Sequence, residues 1–207
     1  MSHLAQSRSK ASLDKVRAEF DRLVLQPAKE EDPSLADLPM RDLLDKVLTT
    51  ERAQDLEYAT MVMQEGLRYQ PSSPMSFLYY AKEDVTLGKY NFKKGDEFVL
   101  CFEGVGHSTA QWQRPMEFLP ERFDQNNPLY LTPDGKKRHN CSWIPFHGGQ
   151  RVCFGKTLAE QNLKILICYM TQKFNLKFED PRYETEFPKA QAELTHYPDV
   201  WLKLTAY

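Results

Sequence analysis

Apolar residues recur at Leu13, Val16, Phe20 and Leu23, spacings of three and four that line one face of a helix over about 4–25. Asp14, Arg17, Glu19, Asp21 and Arg22 fall between them as the solvated face. The polar stretch 27–33, bounded by Pro27 and Pro33, interrupts this pattern and is the best linker candidate. A short helix follows around 40–48. A longer one starts near Thr50, whose hydroxyl suits a cap, and runs through Leu56, Ala59, Met63 and Leu67 to about Tyr69. Pro71 and Pro74 end it.

The period then shortens. Residues 76–80, 85–87, 90–92 and 97–102 are short β-rich runs separated by polar or glycine-containing turns, which predicts a small antiparallel sheet. From Glu103 to Asn140 there is little periodicity, and an irregular meander is expected; so long a loop is usually functional or pinned by something. Lys156 to Lys173 returns to helical spacing. Ala159, Leu163, Leu166 and Met170 form one row, Ile167 and Phe174 a second, and Ile165 and Tyr169 widen the stripe. That predicts a helix buried on most sides. Phe174, Leu176 and Phe178 alternate as a strand, and 200–205 reads as a closing strand.

Composition narrows the picture. The 207 residues, 41% hydrophobic and 12% aromatic, are enough for one sizeable core or two small ones. A net charge of -2 gives no global signal for nucleic acid. Cys101, Cys141, Cys153 and Cys168 have neither C-x-x-C spacing nor a secreted disulfide pattern, so reduced thiols in an intracellular compartment are expected. No stretch is long and apolar enough to span a bilayer, and the N-terminal residues lack a signal-peptide core.

The candidate chemistry gathers at Phe146 to Gly155, a loop with two glycines before Cys153 and one after it, just ahead of the last helix. Unpaired N–H groups and the helix dipole favour a thiolate at such a place, which can serve as nucleophile or as metal ligand. By themselves, Glu65 with Arg68 is an ordinary helical charge pair, and Phe118 to Phe123 is a proline-kinked loop.

The cysteine loop fits F-x-x-G-x-R-x-C-x-G at Phe146, Gly149, Arg151, Cys153 and Gly155. Five fixed positions arise by chance in roughly one chain of this length in ten thousand. The pattern is the haem-binding signature of the cytochrome P-450 family, which this chain resembles. Glu65 and Arg68 are similar to the family's E-x-x-R, Pro120 to Phe123 to its P-E-R-F, and His107 to Trp112 to the H-x-x-x-x-W between them, in the family's order. Leu194, Thr195 and Pro198 are similar to its C-terminal end. The resemblance covers nearly all of residues 1–207 but less than half of a typical member. No segment resembles the long oxygen-activating helix with its A-G-x-x-T-like motif.

The resemblance implies a mainly α fold with a small antiparallel β-sheet, the C-terminal, haem-binding part of the cytochrome P-450 fold. It implies haem b with Cys153 as axial thiolate of the iron, electrons from NAD(P)H through a reductase, and a small organic substrate together with O2. Backbone N–H groups just after Cys153 would hydrogen-bond its sulfur. Phe146 would pack beside the sulfur, Gly149 and Gly155 would let the porphyrin approach, and Arg151 would pair with a propionate. Glu65, Arg68 and Arg122 would form a buried charge cluster bracing the loop. One departure stands out: where many members carry a propionate-binding basic residue, this chain has Leu78, Tyr79 and Tyr80. By position, 72–77 and 187–194 resemble substrate-facing segments, and their apolar character points to a lipophilic substrate. Lys136, Lys137 and Arg138 suit either a reductase with an acidic face or a solvated turn. The family implication allows the endoplasmic reticulum membrane face, with any anchor in a missing N-terminal part; no nucleic acid partner is implied.

Two rival readings belong beside this one. The first is a truncated, catalytically inactive remnant that serves as an interaction or structural module. The second is a thiol enzyme with Cys153 as nucleophile and His147 or His107 as base.

Overall fold

The computed structural model describes residues 9–184 and 201–206. Helix α1 (Lys10–Phe20) turns Leu13, Val16 and Phe20 inward as the spacing requires. It does not end at the polar stretch. A π-helical turn, Asp21–Leu25, carries it into α2 (Gln26–Glu31), and Pro27 lies in the first turn of α2. A proline inside a helix clashes with the carbonyl four residues back, and the wider π turn just before Pro27 makes room for the ring. The expected linker is therefore helix as far as Glu31, followed by a 3-10 turn, Pro33–Asp37. That turn opens where Asp32 accepts the Ser34 N–H at 3.0 Å.

Helix α3 (Met40–Val47) buries Leu43, Leu44 and Val47. Helix α4 (Glu57–Tyr69) starts seven residues later than the Thr50 expectation, and Thr50 does not cap it. Its cap comes from α1. Glu19 accepts the N–H groups of Tyr58 and Ala59 at 2.7 and 2.9 Å, satisfying two donors that the helix start leaves unpaired.

The β-rich runs form no single sheet. Strand β1 (Tyr79–Tyr80) pairs antiparallel with β4 (Glu97–Phe98), and β2 (Val85–Leu87) pairs with β3 (Tyr90–Phe92). The β2–β3 hairpin turns on Gly88, whose φ of 60° suits the first central position of a type II′ turn. The meander holds a short helix, α5 (Phe102–Gly106), and 3-10 turns at Pro120–Phe123, Pro128–Tyr130 and Asn140–Ser142. Next comes α6 (Lys156–Lys173), and then β5 (Phe174–Phe178) pairs antiparallel with β6 (Leu202–Ala206).

The core lies where α1, α3, α4, α6 and β5 meet, around Phe20, Leu44, Leu56, Val62, Ile167 and Leu176. Arg17 ties the first helix to the last. It donates to the carbonyls of Thr171 and Phe174 at 2.8 and 3.1 Å, serving acceptors at the C-terminal end of α6. Helix α6 is less buried than its apolar rows imply. Its fully buried residues are Ile167, Cys168, Thr171 and Gln172, while Leu158 and Leu166 are 63% and 46% exposed. Leu163, Ile165 and Met170 pack against the core, while Leu158 and Leu166 face outward. Among the described residues no helix is long and apolar enough to cross a membrane.

Candidate functional site

The brace under the site is built on α4. Glu65 and Arg68 are 0% and 2% exposed, and Arg122, delivered by the Pro120–Phe123 turn, is 0% exposed. Arg68 chelates Glu65 with Nε at 2.7 Å and Nη2 at 2.9 Å. Its remaining donors reach the carbonyls of Gly106, Pro115 and Glu117. Arg122 donates to Glu65 at 3.0 Å and to the carbonyls of Gln113, Arg114 and Glu117. The Leu119 N–H completes Glu65 at 2.7 Å. One carboxylate thus faces two guanidinium groups, and main-chain carbonyl dipoles balance the excess cation. Burial pulls the Arg122 pKa down, with Glu65 opposing. All five N–H groups of Arg68 are engaged within the protein, so its work is to pin residues 106–119 against α4. That pinning explains how the irregular segment holds one shape.

Gly106 and Trp112 belong to the same brace. A Cβ on Gly106 would lie 2.3 Å from the Arg68 carbonyl oxygen, so only glycine lets α5 approach α4 this closely. Trp112 is fully buried under three cations, with Arg138 nearest at 4.2 Å. Arg138 also donates to the carbonyls of Leu129 and Arg122, and burial lowers its pKa to about 10, with Arg122 adding to the effect. The three basic residues 136–138 therefore do not act as one surface patch. Arg138 packs inward, Lys136 pairs with Asp134 at 2.7 Å, and Lys137 is exposed.

The cysteine loop follows. Trp143 anchors its approach by donating to the Gln64 carbonyl at 3.1 Å. His147 and Gly149 both adopt the left-handed region, at φ 66° and 60°, and a short 3-10 turn covers Gly149–Arg151. The Cys153 N–H then closes onto the Phe146 carbonyl at 2.9 Å. Gly155 is the N-cap of α6 with φ −86°, so its backbone does not demand glycine. A Cβ there would make only ordinary contact, 3.9 Å from the Cys153 sulfur.

Cys153 is exposed, and no described N–H donates to its sulfur. The backbone donors expected just after it are directed elsewhere, since Lys156 N–H goes to the Cys153 carbonyl and Ala159 N–H to Gly155. Phe146 is half-buried and meets the cysteine through its main chain. Arg151 is exposed and makes no ion pair or hydrogen bond with a described residue. Phe154 projects fully, with Val152 and Leu158 exposed beside it, so the thiol sits in an apolar surface. Of the other thiols, Cys101 and Cys141 are exposed rather than buried as free cysteines usually are, and Cys168 is buried.

The donor set separates the chemistries open to this thiol. Among the described residues no three His, Cys, Asp or Glu side chains gather where a bare ion could be held. Cys153 alone fits a metal that brings its other donors with it in a flat apolar macrocycle, and the apolar surround and open glycines agree. A thiol enzyme needs an imidazole on the sulfur. His107 Nε2 instead bonds the Tyr69 carbonyl at 2.8 Å, and His147 Nε2 bonds Tyr79 Oη at 2.6 Å. Sequence reasoning quoted Tyr79 and His147 without linking them, because 68 positions separate them. Of the two segments expected by resemblance to face substrate, 72–77 ends in the exposed Phe77, and 187–194 lies outside the described residues.

Residues 8–200 match the family model described as cytochrome P-450. The steroid 17-alpha-hydroxylase/17,20 lyase of Gallus gallus is 33% identical over 124 residues, which cover 59% of this chain and 23% of that protein. The Homo sapiens protein of the same name is 32% identical over 120 residues, or 57% of this chain and 22% of that one. The matched stretch thus spans less than a quarter of these curated relatives. A crystal structure of a cytochrome P-450 shares the fold with a TM-score of 0.70 at 22% identity, over 99% of this chain and 40% of that one. With the family model spanning nearly its whole length, the chain belongs to the cytochrome P-450 family.

Proposed function

We propose that residues 1–207 are the C-terminal, haem-binding portion of a monooxygenase that inserts one atom of O2 into a lipophilic organic substrate and releases the other as water. The observation that carries this reading is the exposed Cys153 thiol in a glycine-bent loop beside exposed Val152, Phe154 and Leu158, with no cluster of three metal-ligating side chains among the described residues. Haem b, when bound, supplies the iron that activates O2, with electrons drawn from NAD(P)H through a reductase. The chain's own residues position that group. Cys153 would hold that group through its thiolate sulfur, and the Phe146 carbonyl fixes the loop by accepting the Cys153 N–H. Gly149 makes the left-handed bend, and Gly155 keeps the helix start free of side-chain bulk. Arg151, unpaired among the described residues, offers its guanidinium to a propionate, a good match for a carboxylate. Glu65, Arg68 and Arg122 act one layer behind, as a lock on the meander that supports the loop.

The relatives' names make a steroid the first substrate class to test, and the exposed aromatic Phe77 beside the strand pair suits an apolar ligand. A second reading, an inactive module, draws support from the outward-facing Leu158 and Leu166, which suit a docking surface. One experiment decides between them. The purified chain is reconstituted with haem, reduced under carbon monoxide, and its Soret band recorded. A far-red band that is lost in Cys153→Ser is expected. No such band from the wild-type chain or from a longer form containing Cys153 would overturn the haem-thiolate reading.

A further inference from the structure

We propose that a cavity beside the Glu65 brace, walled by Trp112, Phe123, Tyr130 and Trp143 around Arg138, binds a small aromatic carboxylate. The cavity has a volume of about 280 Å³, and none of the residues lining it lies in the cysteine loop. That volume is near the lower limit for ligand pockets and suits one ring bearing one acid group. Charge sets the sign of the ligand. Arg68, Arg122 and Arg138 converge on the Trp112 ring, at 5.4, 5.8 and 4.2 Å from its centroid. Glu65 pairs with Arg68 and Arg122, which leaves Arg138 with no carboxylate partner among the described residues. Arg138 commits two of its five N–H groups to the carbonyls of Leu129 and Arg122, and the other three find no acceptor among the described residues. Burial and then Arg122 hold its pKa down at about 10, as befits a cation without a counter-ion.

No Asp or Glu lines the cavity, whereas Lys137 and His139 do, and both are exposed at its rim. His139 Nδ1 accepts the Cys141 N–H at 3.1 Å, so the neutral ring carries its proton on Nε2 and adds a donor. A carboxylate entering here meets three basic side chains and no competing anion. The walls set its shape. Phe123 lies 5.7 Å from Trp112 and 6.0 Å from Trp143, and Arg138 sits 5.0 Å over Tyr130. The Trp112 indole N–H donates to the Val105 carbonyl and that of Trp143 to the Gln64 carbonyl, so both rings are ordered before a ligand arrives. Walls of this kind favour a flat partner, because aromatic pairs gain beyond the area they bury. An acidic side chain of another protein would satisfy Arg138 and leave the rings unmet.

Of the three tryptophans, Trp112 and Trp143 line the cavity and Trp201 does not, so the chain carries its own reporters. In a Trp201→Phe background, quenching of tryptophan emission is titrated with 4-nitrobenzoate and with its uncharged counterpart, 4-nitrobenzamide. N-acetylglutamate serves as competitor, and far-UV circular dichroism confirms each fold. The acid should quench saturably and the amide should bind about tenfold more weakly, as loss of a charged hydrogen bond predicts. Arg138→Gln should erase that preference. Lys137→Gln with His139→Gln, which alters only the exposed rim, should weaken the acid about threefold and leave the amide unchanged. No saturable quenching by the acid, equal binding of acid and amide, or acid binding untouched by the rim pair would each overturn the proposal. Displacement by N-acetylglutamate as strong as by the aromatic acid would assign the cavity to an acidic side chain of a partner protein and overturn it too.

Discussion

Glu65 is the residue on which the brace turns, because among the described residues it alone is a buried acid facing the buried Arg68 and Arg122. Removing it leaves Arg68 and Arg122 without their counter-ion in the interior. Breaking a buried pair from one side typically costs about 3–5 kcal/mol, so Glu65→Ala should lose most cooperative unfolding in urea, monitored by far-UV circular dichroism. Arg68→Lys should be nearly as damaging, because an ammonium cannot reproduce the bidentate contact with Glu65 and the carbonyls served by the same fork. The cysteines supply a second residue-scale test. Burial, with Glu19 adding to it, pushes the Cys168 thiol from 9.0 up to about 12. Under native conditions iodoacetamide should label Cys101, Cys141 and Cys153 and spare Cys168, as peptide mass spectrometry would read. A raised folded pKa means this thiol's contribution to stability is complete below pH 9 and fades as pH climbs toward 12. At this scale the fixed spacing of the cysteine loop agrees with the backbone at Gly149, which takes the left-handed region at φ 60°. The Tyr79–His147 contact was hidden, since no local pattern links a strand residue to a loop residue 68 positions away.

Elements whose boundaries depend on local chemistry were readable, and those set by distant groups were not. Helix α6 and strand β5 follow directly from a change of period at Phe174. The start of α4 does not, because its cap is the Glu19 carboxylate on another helix. Glu19→Ala should therefore destabilise the chain by roughly 1 kcal/mol, as cap removal does, measured as a lower urea midpoint at unchanged slope. It should also speed amide hydrogen exchange at Tyr58 and Ala59. The polar stretch after Leu25 misled for another reason. Proline reads as a breaker, yet a π turn placed just before Pro27 absorbs its ring and lets the helix proceed. The same limit applies to burial, since periodicity identifies an apolar face without naming what covers it.

At the scale of the whole molecule, that uncovered face is the outstanding property. Phe154, Leu158 and Leu166, at and after the cysteine loop, are large, apolar and outward-facing, as residues of an interaction surface are. The haem-free chain should brighten an environment-sensitive hydrophobic dye, and haem loading should reduce that signal. Leu158→Glu with Leu166→Lys should lower it further without loss of helix, and an unchanged signal would mean that these leucines are not the dye's site. The family fold was legible from motif order alone, whereas the division of α6 into a packed and an open face needed three-dimensional placement. Arg17 adds a constraint of time. Its acceptor on Thr171 emerges 154 residues later. At roughly 5–20 residues per second on the ribosome, the first helix waits about 10–30 s for its partner. During that interval Val16, Phe20 and Val24 have no finished core to enter. A holdase should therefore engage this helix during synthesis, and mutating Arg17 should lengthen that engagement.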